Sequence, residues 1–404
     1  MGPPPHMPPP PGAPAPAATR HAWIDALRLT AGLSMVGLHA TVDGAGQPFP
    51  DHTASERLAP MLLRAVLYSA RTELFLMISV FLLLLALDHR PRRYRVVLAQ
   101  QARRLLVPFL FWTVFYAFYG LGKARAFGYF EAEWARLGEP LSWLGFLTLG
   151  NVKYHMHFVP TLFGLLLFYP LFRPARARPA LGLLILGALL VKREVDGLIY
   201  PAFWGSDLLP YLVRATKIVT YAGYGLAAAA ILGLWQRLGP GRGAPWVAPL
   251  LLLGGLLFAV KLSATAQVVA SGAWAFDHTA GYWADFLMPA VLMGLCMCLG
   301  HRRWPALFSR LARYSFGIYL CHPIFLDLAE IALARIALMG AELAPLPLVL
   351  VKIAWTLPAT ALFVRALSRH RPLAWTIGLG PLPRRPGPHP KPSLTTGVDR
   401  AHKS

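Results

Sequence analysis

The sequence predicts an all-α fold: a polytopic transmembrane helix bundle of about ten helices with disordered Pro-rich termini. Two observations support this fold class. Hydrophobic residues make up 56% of the 404 residues and charged residues only 14%, whereas about a quarter of the residues in a soluble domain are charged. The apolar residues are also gathered into long segments, each near the ~20 residues that a helix needs to cross a bilayer.

These apolar segments follow one another along most of the chain and are separated by short polar gaps. Each is predicted to form one helix. The short fifth segment and the weakly hydrophobic start of the sixth fit this description least well. The approximate bounds are 22–42, 61–87, 105–122, 155–172, 180–195, 214–235, 246–264, 282–300, 314–334 and 347–367.

The distribution of basic residues between the segments predicts the topology. Arginines dominate the even-numbered gaps, as in residues 90–104, whereas the odd-numbered gaps mix acidic and basic residues, as in residues 123–139. Since cytoplasmic loops carry the excess of Lys and Arg, both termini are predicted to be cytoplasmic. This pattern also accounts for the formal net charge of +21 better than nucleic-acid binding does, because the charge lies in short gaps rather than on a polar domain.

Composition divides the chain into three predicted regions. Residues 1–20 form a disordered Pro/Ala-rich cytoplasmic tail, residues 21–370 form the transmembrane domain, and residues 371–404 form a basic, Pro-rich cytoplasmic tail. The three cysteines all lie within apolar segments. They indicate small core residues rather than a disulfide framework or a zinc site.

The first apolar segment contains ionisable residues at membrane depth, where they are costly and usually functional. His39 follows Arg28 by eleven residues, which returns it to within about 20° of the same helical face, roughly 16 Å further along the axis. Asp25 shares that face. The stripe is predicted to face the bundle interior, with His39 as a general base and Arg28 as an anion-binding group. The alternative is that Asp25 and Arg28 are interfacial anchors that pair with each other and that His39 merely ends the helix.

The second segment also carries charge ahead of a long apolar run. Arg64 and Arg71 are seven residues apart and lie on nearly one face, while Glu73 is placed to pair with a neighbouring helix. This arrangement favours an internal polar site over snorkelling. Lys352 in the tenth segment, by contrast, is predicted to snorkel toward the membrane surface.

Five sequence blocks, in order, resemble the acyltransferase-3 family of integral membrane acyltransferases. The first is the D-x-x-R-x10-H pattern of the opening helix, formed here by Asp25, Arg28 and His39. The second is an acidic residue followed by L/F-F-x-I-S-G-F-L-L, matched by residues 73–83 with Val80 in place of the glycine. That departure bears on local packing more than on chemistry.

The third block is a basic pair ahead of L-x-P-F-x-F-W, matched here by Arg103 and Arg104 at the start of the third helix. Many relatives have a further base three residues before the second arginine, where this chain has Gln101. The resemblance implies that the pair binds a phosphate-bearing donor. The alternative is that both arginines are ordinary positive-inside anchors.

The last two blocks contain histidines. Residues 153–159 resemble K-Y-H-L-W-F-L, with His155 in the expected place and His157 replacing the tryptophan, and residues 315–323 match S-x-G-I-Y-L-x-H-P with His322. The alternatives are that His155 and His157 are interfacial imidazoles and that His322 hydrogen-bonds a carbonyl freed by the following proline. A metal site is not predicted, because the His-x-His pair lacks a third ligand at useful spacing.

The resemblance covers about residues 20–370 and implies an acyltransferase in a bacterial-type inner (plasma) membrane. It implies transfer from cytosolic acyl-CoA, with acetyl as the default and succinyl open, to a hydroxyl of a glycan, lipid-linked sugar or other envelope molecule. The implied catalytic residues are His39, Arg28 and Glu73; the substrate-binding residues are Asp25, Arg71, His155, His157 and His322; the acyl-CoA-binding residues are Arg103 and Arg104.

Two other classes of protein also fit a bundle with intramembrane charges. One is a solute transporter or flippase, although the chain shows no internal repeat and no matching pair of broken helices in two halves, which would best indicate a transporter site. The other is a non-catalytic assembly or sensor subunit, in which Arg28 and His39 would be freely replaceable. Oligomeric state is not predicted.

Overall fold

The structure is a computed structural model in which residues 21–239, 241–275 and 278–381 are described. Within these ranges every regular element is helical, so the all-α prediction is confirmed. Two short 3-10 helices, Pro179–Leu183 and Ala374–Ile377, accompany the α-helices. The α-helices are α1 (Ala22–Ala40), α2 (Ala54–Tyr68), α3 (Thr72–His89), α4 (Tyr94–Phe127), α5 (Phe130–Gly138), α6 (Pro140–Thr148), α7 (Phe158–Leu167), α8 (Tyr169–Ala177), α9 (Leu184–Ala202), α10 (Leu209–Thr220), α11 (Ala222–Leu238), α12 (Ala244–Ser271), α13 (Thr279–Cys298), α14 (Ala306–Ala312), α15 (Ser315–Leu338) and α16 (Pro345–Arg369).

Seven helical runs in the described part are long and apolar enough to cross a membrane, and the pair α7 and α8, bent by 65°, is an eighth if the two helices form one broken span. The multi-pass prediction is confirmed, and its count of about ten helices is approximate. The seven runs are Ala54–His89, Tyr94–Phe127, Leu209–Leu238, Ala244–Ser271, Thr279–Cys298, Ser315–Leu338 and Pro345–Arg369.

The helix α1 is less apolar than these runs because protein, rather than lipid, surrounds it. It packs against α2, α3 and α13 to α16, and most of its side chains are buried. A helix in this central position can carry Asp25, Arg28 and His39, because their polar groups face other protein instead of hydrocarbon. The first predicted segment is therefore the centre of the bundle.

Three of the predicted single helices are each divided into two α-helices, and in the sixth segment the division between α10 and α11 falls at Tyr221. The second segment is divided into α2 and α3 at residues 69–71, where the backbone of Arg71 is extended (φ −82°, ψ −170°). The fourth is divided into α7 and α8, and Pro170 in the first turn of α8 has no N–H with which to continue the helix of α7. The break before α3 places the Glu73 carboxylate in a first helical turn, where the helix dipole favours negative charge.

Small residues allow α11 to approach its neighbours closely. It is rich in alanine and glycine and packs against α3, α8, α9 and the first 3-10 helix. A Cβ atom on Gly225 would overlap the Phe172 ring, and one on Gly233 would overlap the Arg176 carbonyl. Such small residues are typical of helix interfaces within membranes, where close backbone contact drives association.

We expect Gly233→Ala to lower the free energy of unfolding by about 1–3 kcal/mol, because the new methyl group collides with backbone rather than with a flexible side chain. The matched control is Gly187→Ala in α9, where the same methyl group meets open space. That control should be neutral or stabilising by up to about 1 kcal/mol, the gain of alanine over glycine in a helix. Thermal unfolding in detergent measures both, and equal melting temperatures would contradict the packing assigned to α11.

The chain beyond α16 packs against the bundle as far as it is described. Trp112 Nε1 in α4 donates to the Thr376 carbonyl oxygen at 2.8 Å, and Ile377 is buried. The predicted tail of residues 1–20 lies outside the described residues, as do residues 382–404 of the predicted C-terminal tail.

Candidate active site

Arg28 and His39 both face α15, at two levels of the bundle. Arg28 Nη2 donates to Ser315 Oγ at 3.4 Å. The His39 ring stacks on that of His322, with the ring centroids 5.6 Å apart and the planes at 19°. Because Ser315 precedes His322 as Arg28 precedes His39, α1 and α15 run in the same direction. The common face predicted for Arg28 and His39 is confirmed.

Three imidazoles, His39, His155 and His322, form what is called here the three-histidine cluster. The ring centroids of His155 and His322 are 5.1 Å apart, and the Tyr154 ring lies 4.1 Å from that of His39. His155 and His322 are 0% exposed, whereas His39 is only partly buried. His39 is therefore the least enclosed residue of the cluster, although its Nε2 atom is itself buried.

Pro323 explains how His322 is held. Proline has no N–H, so the Tyr319 carbonyl, four residues earlier in α15, loses its helical donor. His322 Nδ1 lies 2.8 Å from that oxygen, and because a carbonyl can only accept, Nδ1 carries the hydrogen. The hydrogen bond suggested by the sequence is thus present. With the hydrogen on Nδ1, the free lone pair of His322 is on Nε2. Neither this atom nor His39 Nε2 has a hydrogen-bond partner among the described residues.

The loop between α6 and α7 carries Tyr154 and His155, and α15 fixes it at two points. The Tyr319 hydroxyl donates to the His155 carbonyl oxygen, and Lys153 Nζ donates to Asp327 Oδ2 at 2.6 Å. Both anchors belong to the helix that also carries His322. The helix α15 therefore positions two of the three imidazoles together.

Asp327 is the centre of a buried ion-pair network. Lys123 Nζ lies 2.8 Å from Asp327 and 2.7 Å from Glu330, while Lys352 lies 3.1 Å from Glu330 and donates to the Val42 carbonyl at 2.9 Å. Lys352 is only 1% exposed. The prediction that it snorkels is wrong, because Glu330 and the Val42 carbonyl provide partners inside the bundle.

Glu73 and Arg71 form a separate buried pair. Arg71 Nε lies 2.7 Å from Glu73 Oε2, and the Tyr221 hydroxyl donates to Oε1 at 2.8 Å. The Arg71 guanidinium also stacks 4.6 Å from the Phe286 ring centroid. No hydrogen bond or ion pair joins Glu73 to the three-histidine cluster within the described ranges. The structure thus pairs Arg71 with Glu73 between α3, α11 and α13, but does not bring Glu73 to His39.

Arg28 and Arg104 line one cavity of about 160 Å³ between α1, α3, α4, α7 and α15. Gln101, which replaces the further base of many relatives, lines it as well. Tyr319 is another wall residue, and its hydroxyl reaches the His155 carbonyl. This cavity is called here the arginine cavity. Tyr319 therefore contacts both the arginine cavity and the three-histidine cluster.

The other predicted site residues lie beside these groups. Asp25 Oδ1 is 3.8 Å from Arg28 Nη1. His157 Nδ1 is 2.7 Å from the Tyr154 carbonyl oxygen, which holds its ring in the loop. Arg103 is exposed and is not among the residues that line the arginine cavity. Within residues 21–239, 241–275 and 278–381, no group of three or more His, Cys, Asp or Glu residues is arranged to hold a metal ion.

Sequence reasoning did not assign two sets of residues that build this site. Arg214 donates to the carbonyls of Leu149 and His157, both at 2.8 Å, and so ties the two ends of the histidine-bearing loop. Asp327 and Glu330 hold three lysines. Their signal in the sequence is a pair of carboxylates one turn apart in an apolar segment, which demands buried cations.

A multi-pass bundle with an imidazole cluster and an arginine-lined cavity inside it defines an integral membrane protein with an internal polar site. The comparison with protein families identifies its chemistry: the model of the Acyl_transf_3 family, described as an acyltransferase domain, matches residues 21–365. The chain therefore belongs to the acyltransferase-3 family and is a membrane acyltransferase, which requires an acyl donor and an acceptor. No curated protein and no solved structure matches the chain.

Proposed function

We propose that the protein transfers an acyl group from cytosolic acyl-CoA to a hydroxyl of an envelope molecule. The observation that supports this best is the alignment along α15 of Arg28, beside Ser315, and His39, beside His322. On α15, Ser315 and His322 are seven residues apart, which is roughly 10 Å along the helix axis. A charged CoA cannot cross lipid, so an internal polar route between the levels solves the problem of bringing a thioester to an acceptor on the outer side.

Acyl-CoA, the donor, would bind in the arginine cavity. Guanidinium groups match phosphate in geometry and charge, and Arg104 and Arg28 line the same cavity. Arg104 would bind a CoA phosphate and Arg28 would guide the pantetheine arm. Arg103, one residue earlier and exposed, would add positive charge at the cytoplasmic mouth. The thioester would then pass Tyr319 toward the three-histidine cluster.

His39 would act as the general base. Its Nε2 takes the proton of the acceptor hydroxyl, the alkoxide oxygen attacks the thioester carbonyl carbon, the carbon–sulfur bond breaks, and the imidazolium returns the proton to the CoA thiolate. In the second route, His39 Nε2 attacks the thioester carbonyl carbon, the carbon–sulfur bond breaks and CoA leaves as the thiolate; the acceptor hydroxyl then takes the acyl group from the imidazole, and its proton passes through the imidazole to the thiolate. Because Glu73 is paired with Arg71, this pair would orient the acceptor rather than the His39 ring.

The proposal also includes the membrane topology, the acyl group and the size of the acceptor. Residues 21–370 would form the transferase domain of a bacterial-type inner membrane protein, with both terminal tails in the cytoplasm, because the arginine-rich gaps alternate along the chain. The default acyl group is acetyl, and succinyl remains the second candidate. Apart from residues 128–157, which contain α5 and α6, the outer loops are short and offer little dedicated surface, which favours a lipid-linked or small acceptor over a large glycan.

Labelled acetyl-CoA or succinyl-CoA added to inverted vesicles tests this function directly. An acyltransferase places the label in envelope material and releases CoA. A transporter instead accumulates a solute without acyl-CoA, and that result would refute the proposal. Mass spectrometry of envelope molecules from a deletion strain then identifies the acyl group by the mass that is lost.

The proposed role of Arg104 in binding acyl-CoA can be tested by substitution. Arg104→Gln should raise the KM for acetyl-CoA by about 10- to 100-fold with little change in kcat, which corresponds to one charge-assisted hydrogen bond to phosphate. The matched control is Arg103→Gln, which removes the same charge from a residue outside the cavity and should have a smaller effect. The rate of CoA release in proteoliposomes measures both. Equal effects of the two substitutions would mean that they act only through general surface charge.

A further inference from the structure

A second cavity, of about 420 Å³, lies between α2, α12 and α13 and the loop that follows α12. It is called here the outer cavity. Arg64 lines it, and Arg64 Nη1 donates to the Leu38 carbonyl at 2.6 Å, one residue before His39. The outer cavity therefore lies at the depth of the proposed base. Its volume falls in the range of about 300–1,000 Å³ that is typical of small-molecule sites.

The outer cavity has a positive charge that the protein does not neutralise. Three cations line it: Arg64, Arg71 and Lys261. Arg71 is paired with Glu73 at 2.7 Å, and Lys261 is paired with Asp285 at 2.8 Å. Arg64 forms no ion pair with any carboxylate in the part of the chain that is described. A partly buried cation without a counter-ion favours an anionic ligand.

Aromatic rings form much of the remaining wall. Tyr68, Trp274 and Phe286 all line the cavity. The Arg64 guanidinium lies 4.6 Å from the Trp274 ring centroid, and the Lys261 ammonium lies 4.0 Å from that of Tyr68. Flat rings next to fixed cations suit a ligand that has an apolar ring face and an acidic substituent, as an acidic saccharide does.

We propose that the outer cavity binds the acceptor, and that this acceptor is a saccharide with a phosphate or carboxylate group close to the acylated hydroxyl. The inference rests on the proposed function, because it names the class of its acceptor. Arg64 Nη1 donates to the Leu38 carbonyl and to Thr41 Oγ1 at the end of α1. The other guanidinium N–H groups of Arg64 bind the anion. The ring of the sugar packs on the aromatic wall. The same chemistry is offered by a free acidic sugar and by a polyprenyl phosphate sugar.

Binding is measured without acyl-CoA, on the full-length protein in nanodiscs of phosphatidylcholine. The probes are radiolabelled glucose 1-phosphate and glucuronate, with glucose as the neutral comparison. We expect both anions to bind at least 10-fold more tightly than glucose. Unlabelled polyprenyl phosphate glucose incorporated into the nanodiscs competes better than free glucose 1-phosphate if the natural acceptor is lipid-linked, and worse if it is free. Equal binding of glucose and the two anions would overturn the proposal.

Two substitutions with opposite expected effects on anion affinity distinguish a change in binding from a loss of folding. Arg64→Gln should weaken binding of the anions about 10-fold or more and leave glucose unchanged. Asp285→Asn, which removes the negative charge beside Lys261, should tighten binding of the anions by about 3- to 10-fold, and misfolding cannot produce such a gain. The control is Arg125→Gln, an exposed arginine of α4, which should change nothing. Failure of Asp285→Asn to tighten binding would refute the assignment.

The outcomes for this inference and for the proposed function are distinguishable. If the anionic probes bind as expected but no acyl group leaves acyl-CoA, the proposed function fails while the anion site stands. If acyl transfer occurs but Arg64→Gln changes neither anion binding nor transfer, the outer cavity is not the acceptor site and the donor side of the mechanism is unaffected.

Discussion

His39→Ala is expected to lower the rate of acyl transfer by about 10²- to 10⁴-fold, the usual contribution of a positioned general base. The physical reason is that His39 is the partly exposed member of the three-histidine cluster, and its Nε2 has no hydrogen-bond partner among the described residues. Transfer is measured as labelled acyl product in vesicles. If His39 is acylated instead, the same loss is expected, because both routes begin at its lone pair.

The control for this loss is His89→Ala, which removes an exposed imidazole from the end of α3 and should leave transfer unchanged. Both variants should insert into the membrane at the level of the unmodified protein and melt at similar temperatures. Transfer that persists in His39→Ala at more than a tenth of the original rate would remove His39 from the mechanism. It would leave the family membership intact and require another base.

Asp327→Ala is expected to lower the free energy of unfolding by about 3–5 kcal/mol, because it leaves the largely buried Lys153 without its counter-ion and removes one of the two carboxylates that Lys123 contacts. Lys123 and Lys153 lie 2.8 Å and 2.6 Å from the two carboxylate oxygens, and Asp327 is 1% exposed. Loss of the Lys153 contact should also release the loop that carries Tyr154. Thermal unfolding in detergent measures the stability.

The matched control is Glu133→Ala in α5, whose pair with Arg136 at 3.4 Å is partly exposed to solvent. Such pairs contribute about 0–1 kcal/mol, so this variant should melt close to the unmodified protein. If Asp327→Ala were no more destabilising than Glu133→Ala, the network would not have the structural role assigned to it. Asp327→Asn, which keeps the size of the side chain, separates loss of charge from loss of packing.

The position of Arg28 and His39 on a common face followed from their spacing of eleven residues, because helical rotation depends only on residue number. The sequence also offered the hydrogen bond of His322 as one of two alternatives, since Pro323 necessarily frees the Tyr319 carbonyl. The division of the second segment into α2 and α3 did not follow. Its residues are apolar and helix-compatible on both sides of the break, so hydrophobicity alone could not locate it.

Long-range partners could not be predicted either. The spacing of residues 123, 153 and 352 along the chain says nothing of their meeting at Asp327 and Glu330, and for that reason Lys352 was wrongly expected to snorkel. The same holds for Glu73, which pairs with Arg71 and Tyr221. A charged residue in an apolar segment indicates that it has a partner, but not which helix carries that partner.

The sequence by itself determined the class of fold, the central polar helix and the family, because each depends on local periodicity or on ordered motifs. Only the tertiary structure decided which polar groups meet. It brought His155 from a loop to His39 and His322, joined Arg28 to Arg104 in one cavity, and left Arg64 as an unneutralised charge in another. The physical reason is that lipid does not solvate unpaired polar groups, so the helices pack in a way that gives most intramembrane charges a protein partner, and these partners are distant in the chain.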